Sequence, residues 1–150
     1  MGRGPRGGAR GSHAPGGLRG PACYCGRCGC IETFLSGPGL SRDHERATGL
    51  ALDPAEIARR ADDGDPAATA TLERYEDRMA RALASVINVI DPDVIVLGGG
   101  MSNIARLYAN VPARWAQYVF SDRVDTRLVP PRHSDSSGVR GAAWLWPATP

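Results

Sequence analysis

Lysine is absent from this 150-residue chain; all 18 basic residues are arginine, a mark of GC-rich coding more than of any function. Acidic residues are missing from positions 1–31, which hold five of the arginines, so positions 32–150 carry 13 Arg against 16 acids, a net of −3. The overall +2 therefore belongs to the N-terminal arm and is weak support for a nucleic-acid surface. No run of about 18 apolar residues occurs, which excludes a helical membrane span, and the first residues lack the apolar stretch of a secretory signal. A soluble, cytoplasmic protein is expected. Cysteine is missing everywhere except between Cys23 and Cys30, where all four lie, and such crowding without an export signal points to metal rather than disulfides.

The length suits one domain, which at this size buries roughly two-thirds of its unfolded surface. Residues 1–21 are nearly all Gly, Arg, Pro, Ala and Ser, without hydrophobic periodicity, and are expected to be disordered. Two readings of them stand: a basic arm touching RNA or DNA, or a misassigned start. From Asp53 the signals sharpen. Asp53 caps, Pro54 fits the first helical position and Glu56 follows three residues after the cap, predicting a short helix that ends near Gly64. Asp65 and Pro66 repeat the signal, and Leu72, Tyr75, Met79, Leu83, Val86 and Ile90 then mark one face of a long amphipathic helix.

Asp91-Pro92-Asp93 breaks that helix, and Val94–Leu97 reads as a central parallel strand buried on both faces. Gly98, Gly99 and Gly100 make a sharp exit. Ser102 or Asn103 can cap another helix, and Pro112 can start the one carrying Trp115, Tyr118 and Val119. A short strand near Thr126–Val129 and a closing helix over 136–146, capped by Ser136 or Ser137, complete an α/β domain without internal repeats. His44 and His133 read as surface or packed histidines.

Cys23, Cys25, Cys28 and Cys30 form C-x-C-x-x-C-x-C, with Gly26 and Gly29 letting the backbone wrap an ion; thiolates suit zinc. The alternative is four free, exposed thiols. Glu32 reads either as a solvent-facing acid at a helix start or as an acceptor for ligand hydroxyls. The glycines after the apolar run serve either tight strand-to-helix packing or the close approach of a flat ligand to the backbone.

The segment from Cys23 to Glu32 resembles the C-x-C-G-x-x-G-C-x-E motif of the ROK family (repressors, open reading frames and kinases). Asp91–Ser102 is similar to the adenosine motif of kinases with the actin-like ATPase fold, and His133–Trp146 looks like the end of bacterial fructokinases in the family. The resemblance implies, for residues 22–150, the C-terminal lobe of the actin-like ATPase (ribonuclease H-like) fold with an N-terminal zinc-knuckle segment at 23–32 and an adenosine-type turn at 97–103. It implies zinc held by Cys23, Cys25, Cys30 and an upstream histidine. His13 is the only histidine upstream, although Arg10-Gly11-Ser12 before it departs from the family's Glu-x-Gly; Cys28, at a free position of the motif, is the alternative fourth ligand. Glu32 then binds sugar hydroxyls, and Gly98, Gly99, Gly100 and Met101 bind ATP.

The resemblance also shows what the chain does not contain: the Asp-x-Gly-Gly-Thr phosphate loop and the aspartate that deprotonates the sugar hydroxyl. Phosphoryl transfer depends on positioned phosphates, magnesium and an in-line nucleophile, so the chain alone is expected not to phosphorylate sugar. The parent reaction would move the γ-phosphate of ATP to the 6-hydroxyl of fructose or a similar hexose. Three functions are therefore carried forward: a fructokinase-type kinase fragment, a non-catalytic sugar or nucleotide binder, and a small zinc-dependent nucleic-acid binder. The expected partners are a hexose and either the missing N-terminal lobe or further copies of the chain.

Overall fold

In the computed structural model, residues 20–133 are described, together with Gly138, Gly141, Ala142, Trp144 and Leu145. The expected disorder of the arm, His13 and most of the closing helix lie outside these residues, although Gly138, Gly141 and Ala142 are helical. The elements bounded within the described residues are α1 (Gly37–Thr48), α2 (Pro54–Asp62), α3 (Pro66–Ile90), β1 (Val94–Val96), α4 (Leu107–Trp115) and β2 (Arg127–Val129).

Local chemistry sets the helix starts. The Asp53 carboxylate accepts from Glu56 N–H at 2.8 Å, and that of Asp65 from Ala67 and Ala68 at 2.8 and 3.3 Å, with proline in the first turn each time. Helix α1, which the sequence reading passed over, uses the same device: Ser36 Oγ accepts from Gly39 N–H at 3.1 Å. Asp91 ends α3 in the left-handed region at φ 48°, which aspartate tolerates, and Pro92 prevents continuation.

At about 1.5 Å per residue, α3 runs nearly 40 Å and is the spine against which α1, α2 and α4 pack. Leu72, Tyr75 and Met79 are buried as expected, but Val86 and Ile90 are exposed, and Ala80, Ala84 and Ile87 take over the core face. The expected stripe followed the large residues; the helix buries Ala80 and Ala84 instead. Helix α4 corrects a second expectation, since Pro112 lies inside it. Leu107, Val111 and Trp115 are all buried one turn apart, and that burial outweighs the single hydrogen bond the proline removes. Tyr118 and Val119 lie beyond its end, half-buried against the core.

Two buried carboxylates fasten the helices. Glu76 on α3 is fully buried and accepts from Arg106 Nε at 2.6 Å and Asn110 Nδ2 at 3.0 Å, with Arg114 at 3.4 Å, all from the α4 region. Asp43 on α1 accepts from Arg74 Nε at 2.8 Å and Arg78 at 3.1 Å on α3, and from Arg46 at 2.6 Å. Burial alone would push Asp43 up, but Arg74 and Arg78 outweigh it and hold the carboxyl below its ordinary 3.8. His44 is buried beside it, within 3.0 Å of Thr71 Oγ1, and is a packed histidine.

The strands pair in parallel, Val94 opposite Arg127 and Val96 opposite Val129. Contrary to expectation, β1 is buried on one face only: Ile95 joins the core while Val94 and Val96 are exposed. No helix is long and apolar enough to cross a membrane among the described residues.

Removing the Glu76 carboxylate strands two guanidiniums, so Glu76→Ala is expected to cost about 3–5 kcal/mol. Tyr75 is buried with no hydrogen-bond partner for its hydroxyl among the described residues, so Tyr75→Phe should change stability by less than about 1 kcal/mol. Urea unfolding followed by circular dichroism measures both. Because the folded pKa of Asp43 is depressed, its contribution is complete above 3.8 and is lost as pH falls through the folded value. Acid unfolding of Asp43→Asn is therefore expected to be shallower than that of the parent chain in that range.

Candidate functional site

The cysteine segment is a tight hairpin. Cys23 N–H donates to Arg27 C=O at 2.7 Å, Gly26 N–H to Cys23 C=O at 3.0 Å and Gly29 N–H to Pro21 C=O at 2.9 Å. Gly26 and Gly29 both take positive φ, 82° and 71°, which the two reversals of the chain require. Gly20 lies so close to the Gly29 backbone that no side chain fits there.

This folding brings the Sγ atoms of Cys23, Cys25 and Cys30 within 4.8 Å of one another, Cys25 and Cys30 being 3.5 Å apart. Thiolates tetrahedrally bound at about 2.3 Å from zinc stand roughly 3.7 Å apart, so the donor set fits such an ion. Cys28, exposed on the hairpin, stands outside the group. A backbone hydrogen bond from Arg27, then the thiols of Cys30 and Cys23, hold the Cys25 thiol below its ordinary 9.0. The Cys25 and Cys23 thiols in turn push Cys30 up to about 11. The Cys25 and Cys30 thiols are thus pushed in opposite directions, a conflict that a divalent cation bound by both would resolve.

Directly after the hairpin, Glu32 lies exposed in a 3₁₀ turn, Ile31–Thr33. Its carboxylate has no partner among the described residues, while its backbone carbonyl accepts from Ser36 Oγ at 2.7 Å. Ser36 thus joins Glu32 to the first turn of α1. That turn meets the glycine turn: a Cβ on Gly37 would lie 3.8 Å from Met101 Sδ and 3.3 Å from Pro54 Cγ. The cysteine hairpin, Glu32, the starts of α1 and α2, and Met101 therefore form a connected surface. Only its outer members were visible in the sequence; the Ser36 cap followed by Pro38 was the available signal for α1 and was missed.

The glycine turn itself separates two of the earlier readings. A Cβ on Gly98, Gly99 or Gly100 would touch nothing among the described residues, so packing within that part of the fold does not call for these glycines. Gly99 at φ 72° and ψ −176° is in a region reserved for glycine. Ser102 Oγ donates to Gly99 C=O at 2.7 Å, and Tyr108 Oη to Ser102 C=O at 2.7 Å, fixing the turn on α4. Neither Glu32 nor residues 98–101 line the three principal clefts among the described residues. Both face outward.

The sequence model of the ROK family matches residues 2–149. The chain belongs to the ROK family. It is similar to the N-acetyl-D-glucosamine kinase of Escherichia coli O9:H4, 37% identical over 123 residues, which cover 82% of this chain and 41% of that relative. The Salmonella typhi N-acetyl-D-glucosamine kinase is 36% identical over the same length. Among solved structures, the ROK hexokinase of Thermus thermophilus superposes with a TM-score of 0.70 at 31% identity, over 83% of this chain and 44% of that one. A Streptomyces griseus ROK glucokinase, solved with glucose and AMPPNP, has a TM-score of 0.75 at 22% identity, over 85% of this chain and 47% of its own. This ROK chain thus has an α/β, kinase-like fold and spans less than half the length of these relatives.

The geometry assigns different fates to the four cysteines. Cobalt(II) titration should give thiolate charge-transfer absorption that Cys28→Ser leaves intact and that Cys30→Ser largely abolishes; loss of the band in Cys28→Ser would place that thiol in the ligand set.

Proposed function

We propose that this chain supplies the sugar-facing acid and the nucleotide-facing turn of an ATP-dependent hexose kinase of the fructokinase type. The phosphate loop and catalytic base come from the part of the fold it does not contain. The observation that carries the reading is the glycine turn, exposed at Gly98–Gly100 and meeting through Met101 the first turn of α1, whose cap Ser36 bonds the backbone of Glu32. The kinase names of its relatives, and their greater length, support it.

In this reading Cys23, Cys25 and Cys30 hold zinc, with His13 as candidate fourth ligand; Cys28, the alternative the motif offers, stands outside the three and is the thiol that the cobalt titration tests. When bound, zinc cross-links the two arms of the hairpin. Glu32 accepts hydrogen bonds from hexose hydroxyls, and an ionised acceptor makes such bonds short and directional. Ser36 positions Glu32 through its backbone. Gly98, Gly99, Gly100 and Met101 take the adenosine of ATP, whose magnesium-bound phosphates then extend towards the complementary half. Two requirements of in-line transfer, the cradle for the γ-phosphate and the base, are absent from this chain, so positioning without chemistry is its share. Fructose as the hexose rests on the resemblance of residues 133–146 to the end of bacterial fructokinases.

Purified chain with zinc, magnesium, ATP and a panel of hexoses is expected to release no ADP above background, while binding about one zinc per chain. A fluorescent ATP analogue should bind and be lost in Gly99→Val, which forces a β-branched residue into positive φ. Sustained sugar-dependent turnover by the chain alone would overturn the division of labour, and failure to bind nucleotide would overturn the assignment of the turn.

A further inference from the structure

Asp43 draws more guanidiniums than one carboxylate can neutralise. Its Oδ1 accepts from Arg46 at 2.6 Å and from Arg78 at 3.1 Å, and its Oδ2 from Arg74 Nε at 2.8 Å. One guanidinium from α3 would suffice to fasten α1; two come from α3 and a third from α1 itself. Guanidiniums converging on one carboxylate repel one another, and burial of Asp43 weakens the screening of that repulsion.

This surplus opens into a cleft. A cavity of about 320 Å³ beside Asp43 is lined by Arg42, Glu45, Arg46 and Arg78, with Pro21 and Phe34 as its apolar walls. Counting Arg74 on the same carboxylate, four guanidiniums stand against the two carboxylates of Asp43 and Glu45, a surplus of two positive charges. The Arg42 side chain has no partner among the described residues, so the five N–H donors of its guanidinium remain available. Arg78 lies over the Phe34 ring, 5.2 Å from its centroid, and the charged and apolar walls meet at that pair.

We propose that this cleft binds a phosphate monoester, whose phosphate accepts hydrogen bonds from Arg42, Arg46 and Arg78 and whose organic group rests on Pro21 and Phe34. A phosphate monoester carries a charge of about −2 near neutral pH, which matches the surplus, and guanidinium forks pair with phosphate oxygens two at a time. A carboxylate ligand would neutralise half of the surplus, and a bare ion would leave the apolar walls in water. The cleft shares no residue with the three convergent cysteines, Glu32 or the glycine turn, so binding here is independent of the hexose kinase reading.

Isothermal titration calorimetry of the full, zinc-loaded chain at low, constant ionic strength reads binding of two probes, phenyl phosphate and inorganic phosphate. Phenyl phosphate is expected to bind a single class of site and more tightly than inorganic phosphate. Its affinity should fall about tenfold in Arg42→Gln and in Arg46→Gln, and hold in Arg123→Gln, which removes an exposed guanidinium paired with Asp125. Arg42 and Arg46 are both exposed, and Arg74 and Arg78 still hold Asp43 in either variant, so circular dichroism should match that of the parent chain. Gly99→Val, expected to lose the ATP analogue, should keep phenyl phosphate. No binding, binding that survives both Arg42→Gln and Arg46→Gln, or equal loss in Arg123→Gln would overturn the proposal. Loss in Gly99→Val would overturn it by moving the ligand to the nucleotide turn, and equal affinity for the two probes would leave an adventitious ion only.

Discussion

Burial of one face of α3 is the interaction on which the other elements depend. Leu72, Tyr75, Met79, Ala84 and Ile87 lie along it, and α1, α2 and α4 are each laid against it. A fully buried side chain of the size of leucine contributes about 1.5–3 kcal/mol, so this face outweighs any single polar contact in the chain. The polar contacts have a different role. Asp43 and Glu76 fix the angle and register of α1 and α4 on the spine, because a buried carboxylate tolerates only positions in which its guanidinium partners reach it.

That register is what builds the candidate site. With α1 held by Asp43, its first turn meets both the backbone of Glu32 and Met101. With α4 held by Glu76, Tyr108 reaches Ser102 and stabilises the glycine turn. The cysteine hairpin stands at one end of this line, and its three convergent thiols depend on two glycines at positive φ and on the contact of Gly20 with Gly29. The candidate surface is thus a set of loops and turns positioned by helices.

Much of this was legible in the sequence because its signals are local. Asp53-Pro54, Asp65-Pro66 and Asp91-Pro92 gave the bounds of α2 and α3 closely, and the apolar run at 94–97 located β1. The cysteine spacing singled out four residues, of which Cys23, Cys25 and Cys30, the set the resemblance implied, converge and Cys28 does not; the resemblance also placed the family. What escaped depends on distant partners. Asp43 lies 31 and 35 residues from Arg74 and Arg78, and no pattern in the chain links them. Pro112 read as a helix start because burial of Leu107, which draws α4 one turn earlier, cannot be seen locally. The exposure of Val94 and Val96 escaped because an apolar strand reads as buried whether or not the chain supplies its cover.

That last discrepancy distinguishes the helical layer packed on α3 from the β1–β2 pair, whose Val94 and Val96 are exposed among the described residues. Native-state hydrogen exchange on the isolated, zinc-loaded chain tests this most directly, since amides open with the free energy of the unit that holds them. The slowest exchange should fall in α3 between Leu72 and Ala84, with the amides of Val94 and Val96 exchanging as freely as those of exposed loops. Protection of Val94 and Val96 equal to that of α3 would mean that the sheet is already complete, and the account of this chain as part of a larger kinase fold would be contradicted.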